Sequence, residues 1–218
     1  MAMVSCSVVQ QSAVLADRRA ADKARYEKAQ NYSDFMQARF ASLTGDPHRA
    51  AAFYASSAKS NPYDPDLLER AVFTALISGD VDSAFETATA TKEDTLNASS
   101  LPRLVVGIRN IKARQYTRAR RTLLPETSSL FNDMIARCLI AWTVAEQNGA
   151  EEALQILSAS ASTDPLITGM ILSTRAFIQI NAEDYDGALT TLEGITDARI
   201  YQATTCLLYT SPSPRDRG

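Results

Sequence analysis

The sequence predicts an all-α chain, an α-solenoid of about five stacked helix-turn-helix hairpins. Three observations predict it. Alanine is plentiful, while aromatic residues make up only 7% of the 218 residues, a balance that favours helix over sheet. Three columns of residues recur at intervals of 34 and 35 positions, the period of a two-helix repeat. Glycine, aspartate and proline fall between the columns, where turns and helix ends are needed.

The first column holds Ala38, Val72, Gly107, Ala141 and Ala176, midway along the first helix of each hairpin. The second holds Ala50, Ala84, Ala119, Ala153 and Ala188, early in the second helix. The third holds Tyr54, Ala88, Leu123, Leu157 and Leu192, four residues further on. All three columns advance by 34, 35, 34 and 35. Antiparallel helices approach to about 8–10 Å only where the facing side chains allow it, which favours small residues at the crossing. A bulky residue one turn later shares that face and fills the space beside it. No hairpin can bury its apolar face alone, so neighbours must stack.

Turn chemistry separates the helices at Thr44-Gly45-Asp46-Pro47, Ser78-Gly79-Asp80, Asn148-Gly149 and Ala182-Glu183-Asp184. Glycine suits the left-handed position that ends a helix. Asp46 and Asp80 suit the N-cap of the next one. Asn61-Pro62, Leu124-Pro125 and Asp164-Pro165 end second helices, because proline disfavours helix in the residue before it. The third hairpin carries Ala113-Arg114-Gln115 where a glycine turn is expected.

Gly45-Asp46, Ala50, Tyr54 and Pro62 resemble the tetratricopeptide-repeat family, and the later hairpins carry the same features. These are Gly79-Asp80 with Ala84, Gly107 with Tyr116 and Ala119, Gly149 with Ala153 and Pro165, and Ala176 with Tyr185 and Ala188. The resemblance spans about residues 32–195 and points to bacterial proteins of that class. Val72 in place of a small residue, and Ala88 in place of a bulky one, depart from the family pattern. The resemblance implies a right-handed superhelix whose first helices line a concave groove.

The expected organisation follows. Residues 8–30 form an N-terminal helix, residues 31–195 the repeat domain, and residues 196–205 the start of a truncated next repeat. Residues 206–218 are set apart as an artefact, because Cys206 to Asp216 reads as the in-frame translation of a sequencing adapter. Met3-Val4-Ser5-Cys6, within residues 1–7, resembles the end of a truncated lipoprotein signal, with Cys6 as the lipidation candidate. The apolar stretch that precedes such a cysteine is missing here. A truncated start implies a periplasmic or outer-membrane-anchored protein; a true start implies a cytoplasmic one. No run approaches the ~18 apolar residues of a membrane span.

Catalytic constellations are sparse. His48 is the single histidine, in a helix's first turn, and cannot complete a metal site of usual spacing with Cys6 and Cys138. Cys138, in the apolar run Ile135 to Trp142, is expected as a small buried thiol. Glu151-Glu152 and Glu183-Asp184 sit at helix starts, where the helix dipole favours acids. No glycine-rich phosphate loop occurs. No cofactor and no catalytic residue are expected.

Two surfaces are candidates for partner binding. Arg114, Arg118 and Arg121 form a basic stripe at helical spacing that suits an acidic ligand or a solvated face. A net charge of −3 and few stacking aromatics argue against nucleic acid. The second is an apolar stripe of first-helix residues: Phe73, Leu76, Leu104, Ile108, Ile111, Trp142, Phe177 and Ile180. It either lines a groove for an apolar peptide or helix or packs between hairpins. The expected function is a non-catalytic scaffold that binds a peptide or partner protein. The alternatives are a lipid-anchored cell-envelope assembly factor and the repeat domain of a longer, enzymatic protein.

Overall fold

The computed structural model describes residues 4–159, 162–195, 200–202, 204 and 206, with the backbone alone for 4–14. The residues of the adapter-like tail beyond Cys206 lie outside that set. Every regular element among the described residues is a helix. They are α1 (Val4–Leu43), α2 (Pro47–Ser60), α3 (Pro65–Ile77), α4 (Val81–Thr89), α5 (Glu93–Ala98) and α6 (Ser100–Lys112). There follow α7 (Tyr116–Leu123), α8 (Leu130–Asn148), α9 (Ala150–Ser158), α10 (Pro165–Asn181) and α11 (Tyr185–Glu193). The hairpins are α1–α2, α3–α4, α6–α7, α8–α9 and α10–α11.

The three columns are the core. Ala38, Val72, Ala141 and Ala176 are fully buried, and Gly107 is buried with them. The second-helix alanines 50, 84, 119, 153 and 188 are likewise buried, as are Tyr54, Ala88, Leu123, Leu157 and Leu192. Gly107 marks a close crossing. A Cβ added there would lie 2.5 Å from Leu123 Cδ2.

The chain divides into two compact units, Met1–Leu96 and Asn97–Gly218. In the first, Ala38, Ala41, Ala50, Tyr54, Ala58, Leu67 and Ala71 form the central cluster, with Phe35 edge-on to Tyr54 at 6.1 Å. In the second, Leu104, Leu123 and Ala136 form one cluster. Ala141, Leu157, Ile171 and Ile178 belong to the next, and Ala176, Leu192 and Ile195 to a third. The short α5, which the repeat pattern did not announce, follows the second hairpin. Thr91 and Thr95 both donate to the Pro62 carbonyl there.

Helix ends follow local chemistry. Asp46, Asp64, Asp80, Asp164 and Asp184 are N-caps whose carboxylates accept backbone N–H groups of the first turn. The hydroxyl and the backbone N–H of Ser83 hold the Asp80 carboxyl below its ordinary value. Pro165 opens α10 at its first position, seven residues after the last residue of α9, rather than terminating α9.

Two expectations are corrected. Residues 8–30 are not a separate helix, because α1 runs unbroken into the first hairpin. Ser33 and Asp34, just inside the expected start of the repeat domain, bond along the helix. Gln30 donates to Asp34 and Gln37 to Ser33. The third turn also needs no glycine, since Arg114 takes the left-handed position at φ 57°, as Glu183 does at φ 63° in the fifth. Gly45 and Gly79 fill that position in the first two hairpins.

Candidate interaction surfaces

The apolar stripe splits by register. Phe73, Ile108, Trp142 and Phe177 stand seven residues before the residue that caps the second helix of their hairpins. Phe73 is 53% and Ile108 49% exposed. Trp142 and Phe177 are half-buried, and Trp142 packs against the Ala141–Leu157 cluster. Leu76, Ile111 and Ile180, three residues further along, are half-buried as well. Leu104 does not belong to this surface; it is core, 4% exposed. In the second unit α6 packs on α8 and α8 on α10. Ile108, Trp142 and Phe177 therefore occupy one register on three successively packed first helices.

The basic stripe is not assembled as expected. Helical spacing would align Arg114, Arg118 and Arg121, but α7 begins at Tyr116 and Arg114 lies in the turn before it. Arg118 and Arg121 are exposed on α7, a second helix. Arg120, between them, is half-buried and donates to the Thr143 carbonyl of α8 at 3.4 Å.

A buried arginine went unrecognised in the sequence. Arg103 is fully buried, and its Nη2 donates to Asp133 Oδ1 at 2.7 Å. Its Nη1 reaches the Leu123 carbonyl at 3.3 Å, while Nε has no partner. Asp133 also accepts from the backbone N–H and the hydroxyl of Thr127. One guanidinium thus joins α6, the end of α7 and the start of α8. The available signal was a lone cation inside the run Leu101-Pro102-Arg103-Leu104-Val105-Val106. Its acid lies 30 residues away, which no local pattern reveals.

Two surface depressions repeat one design. In the first unit Ala55, Leu68, Thr87 and Ala90 help line a hollow of about 540 Å³. In the second, Leu124, Arg137, Ile156 and Ala159 help line one of about 390 Å³. These are the same four positions counted from the caps of their hairpins, so both hollows lie between consecutive second helices. An Arg137–Glu126 ion pair of 2.5 Å lies on the wall of the latter.

Among the described residues no three His, Cys, Asp or Glu side chains cluster as metal ligands would. His48 is exposed in the first turn of α2. Cys138 is buried, and burial pushes its thiol above its ordinary value. Cys6 falls within α1, where its side chain is outside the described set. No described helix is long and apolar enough to cross a membrane.

The register, the small-residue crossings and the stacked hairpins define a tetratricopeptide-repeat fold, and solved structures agree. The crystal structure of MamA protein superposes with a TM-score of 0.57 at 12% identity, covering 84% of this chain and 97% of that one. YrrB, described as a TPR protein with an unusual peptide-binding site, gives 0.55 at 19% identity, over 85% and 97%. MamA from Desulfovibrio magneticus RS-1, residue 41 to its end, gives 0.52 at 14%, over 84% and 98%. No family model and no curated protein matches the sequence.

Proposed function

We propose that the chain is a non-catalytic interaction scaffold that holds an apolar peptide segment or a partner's helix against its first helices. The observation that carries this reading is the shared register of Ile108, Trp142 and Phe177 on α6, α8 and α10, flanked by Ile111 and Ile180. These side chains are large, apolar and only partly covered. Anchors of that kind, spaced one per hairpin, suit a segment laid across successive helices. Phe73 and Leu76 offer the same register on α3. The peptide-binding site named for YrrB is consistent with this use of the fold.

The test begins by panning a random peptide library against the chain and measuring affinity for the selected peptides. Ile108→Glu is expected to weaken binding at least tenfold with an unchanged melting temperature, because Ile108 is half exposed. Trp142→Ala should lower both affinity and stability, since one face of the indole is core. Peptides indifferent to Ile108→Glu and to Phe177→Ala alike would place binding elsewhere and refute this reading.

A further inference from the structure

The third hairpin carries its charge differently from the rest of the chain. Residues 95–125 hold seven Lys and Arg and no Asp or Glu, in a chain of net charge −3. Arg103 and Arg120 bond within the fold. Lys112, Arg114, Arg118 and Arg121 are exposed, and none of these four forms an ion pair among the described residues. All four belong to the second unit, at the end of α6, in the turn that follows it and on α7.

The other hairpins show what this turn lacks. The first backbone N–H groups of a helix need acceptors, and its positive end favours a carboxylate. Asp46, Asp80 and Asp184 supply one to α2, α4 and α11, while Glu151 and Glu152 stand in the first turn of α9. The same position in the third hairpin is Gln115, which makes no side-chain cap bond, and the first turn of α7 holds no acid. A buried amide lies at that helix start. Asn110 is 7% exposed, its carbonyl accepts from the Gln115 N–H at 2.8 Å, and its Nδ2 has no partner. Its counterpart in the fifth hairpin is Gln179. The Gln179 carbonyl accepts from the Asp184 N–H at 2.9 Å, and its Nε2 donates to the Asp184 carboxylate at 3.2 Å. The third hairpin thus keeps the donors of this arrangement and lacks the carboxylate. An arginine at position 118 does not fill the seat. Arg49 holds the same position in α2, and its backbone N–H still donates to Asp46 at 3.1 Å.

We propose that the start of α7 seats a carboxylate of an acidic protein segment, whose neighbouring acids pair with Lys112, Arg114, Arg118 and Arg121. The ligand carboxylate takes the place that Asp184 fills in the fifth hairpin. It accepts from the first-turn N–H groups of α7 and from Asn110 Nδ2. Four unpaired cations beside one seat complement a run of acids rather than a single one. A carboxylate is the anion that the fold itself places at this position in three other hairpins. The scarcity of stacking aromatics turns the site away from nucleic acid. This site does not rest on the apolar register of Ile108, Trp142 and Phe177.

Fluorescence anisotropy of a fluorescein-labelled hexaglutamate peptide with the full chain, at low ionic strength, tests this. Hexaglutamate is expected to bind at least tenfold more tightly than labelled hexaglutamine, and to lose at least tenfold in affinity in Arg114→Glu/Arg118→Glu. Arg18→Glu/Arg19→Glu on α1 changes the net charge equally and should leave the affinity within about twofold, because distant surface charges are screened. Gln115→Asp supplies the missing carboxylate from within the chain. It should raise the melting temperature by a few degrees and weaken hexaglutamate binding at least tenfold. Hexaglutamate that binds no more tightly than hexaglutamine, equal losses in the two double variants, or full affinity in Gln115→Asp would overturn the proposal. Tighter binding of an oligothymidylate of equal charge would assign the surface to nucleic acid and overturn it as well.

Discussion

Volume at the crossing is conserved as a pair rather than position by position. In every hairpin the first and third columns stand 16 residues apart. Four hairpins put a small residue in the first column and a bulky one in the third: Ala38 with Tyr54, Gly107 with Leu123, Ala141 with Leu157 and Ala176 with Leu192. The second hairpin inverts this with Val72 and Ala88, both fully buried. Its two departures from the repeat pattern therefore offset each other. In the third hairpin a Cβ on Gly107 would crowd Leu123, and there two effects compete in Gly107→Ala. Helix propensity favours alanine by about 1 kcal/mol. Overpacking against buried Leu123 costs about 1–3 kcal/mol. Packing wins, so Gly107→Ala should destabilise the protein in urea titrations, and Leu123→Val in the same chain should restore part of the loss. A stabilised Gly107→Ala would mean that Leu123 swings aside freely.

At the scale of elements, helix ends obey local chemistry while helix lengths do not. Five aspartates cap helices as their spacing before Pro, Val or Tyr suggests. The turns tolerate more variation than glycine counting allows, because Arg114 and Glu183 adopt the left-handed conformation themselves. That conformation costs a non-glycine residue about 1–2 kcal/mol. Glycine adds back about 0.4–1 kcal/mol through the entropy of the unfolded chain. Arg114→Gly should therefore stabilise the second unit by up to about 1 kcal/mol, a rise of a few degrees in melting temperature. A fall in melting temperature would show that the Arg114 side chain makes a contact worth more than its strain. The length of α1 escaped the sequence reading for a specific reason. Residues 15–30 are exposed throughout, so no apolar periodicity joins them to the hairpin that follows.

At the scale of the whole molecule, each unit keeps its own clusters, and the second adds a buried ion pair. Removing one partner of such a pair typically costs about 3–5 kcal/mol, because the other charge is left without compensation. Trp142 is the sole tryptophan and belongs to the second unit, so its fluorescence reports that unit alone. Arg103→Met should move the Trp142 transition to lower urea. Far-UV circular dichroism, which reads both units, should retain a later step at the wild-type midpoint. Coincident transitions in Arg103→Met would show that the units unfold as one cooperative block.

What the sequence determined by itself is the repeat: the five hairpins, their register and the small residues at their crossings. Those signals are periodic, and helix geometry turns a 34- or 35-residue rhythm directly into stacked contacts. Two of the five aspartate caps, Asp46 and Asp80, were legible as well, being read within one turn of chain. Only the tertiary structure decided which apolar residues are core and which are surface. Leu104 and Ile108 lie one helical turn apart in the same helix, yet the first is buried and the second half exposed. It also decided that Arg103 meets Asp133, that the basic stripe breaks at Arg114, and that Tyr32, Met36, Phe40 and Leu43 of α1 stay exposed. Each of these depends on what another hairpin places opposite, and spacing along one strand of sequence carries no record of the partner across the gap.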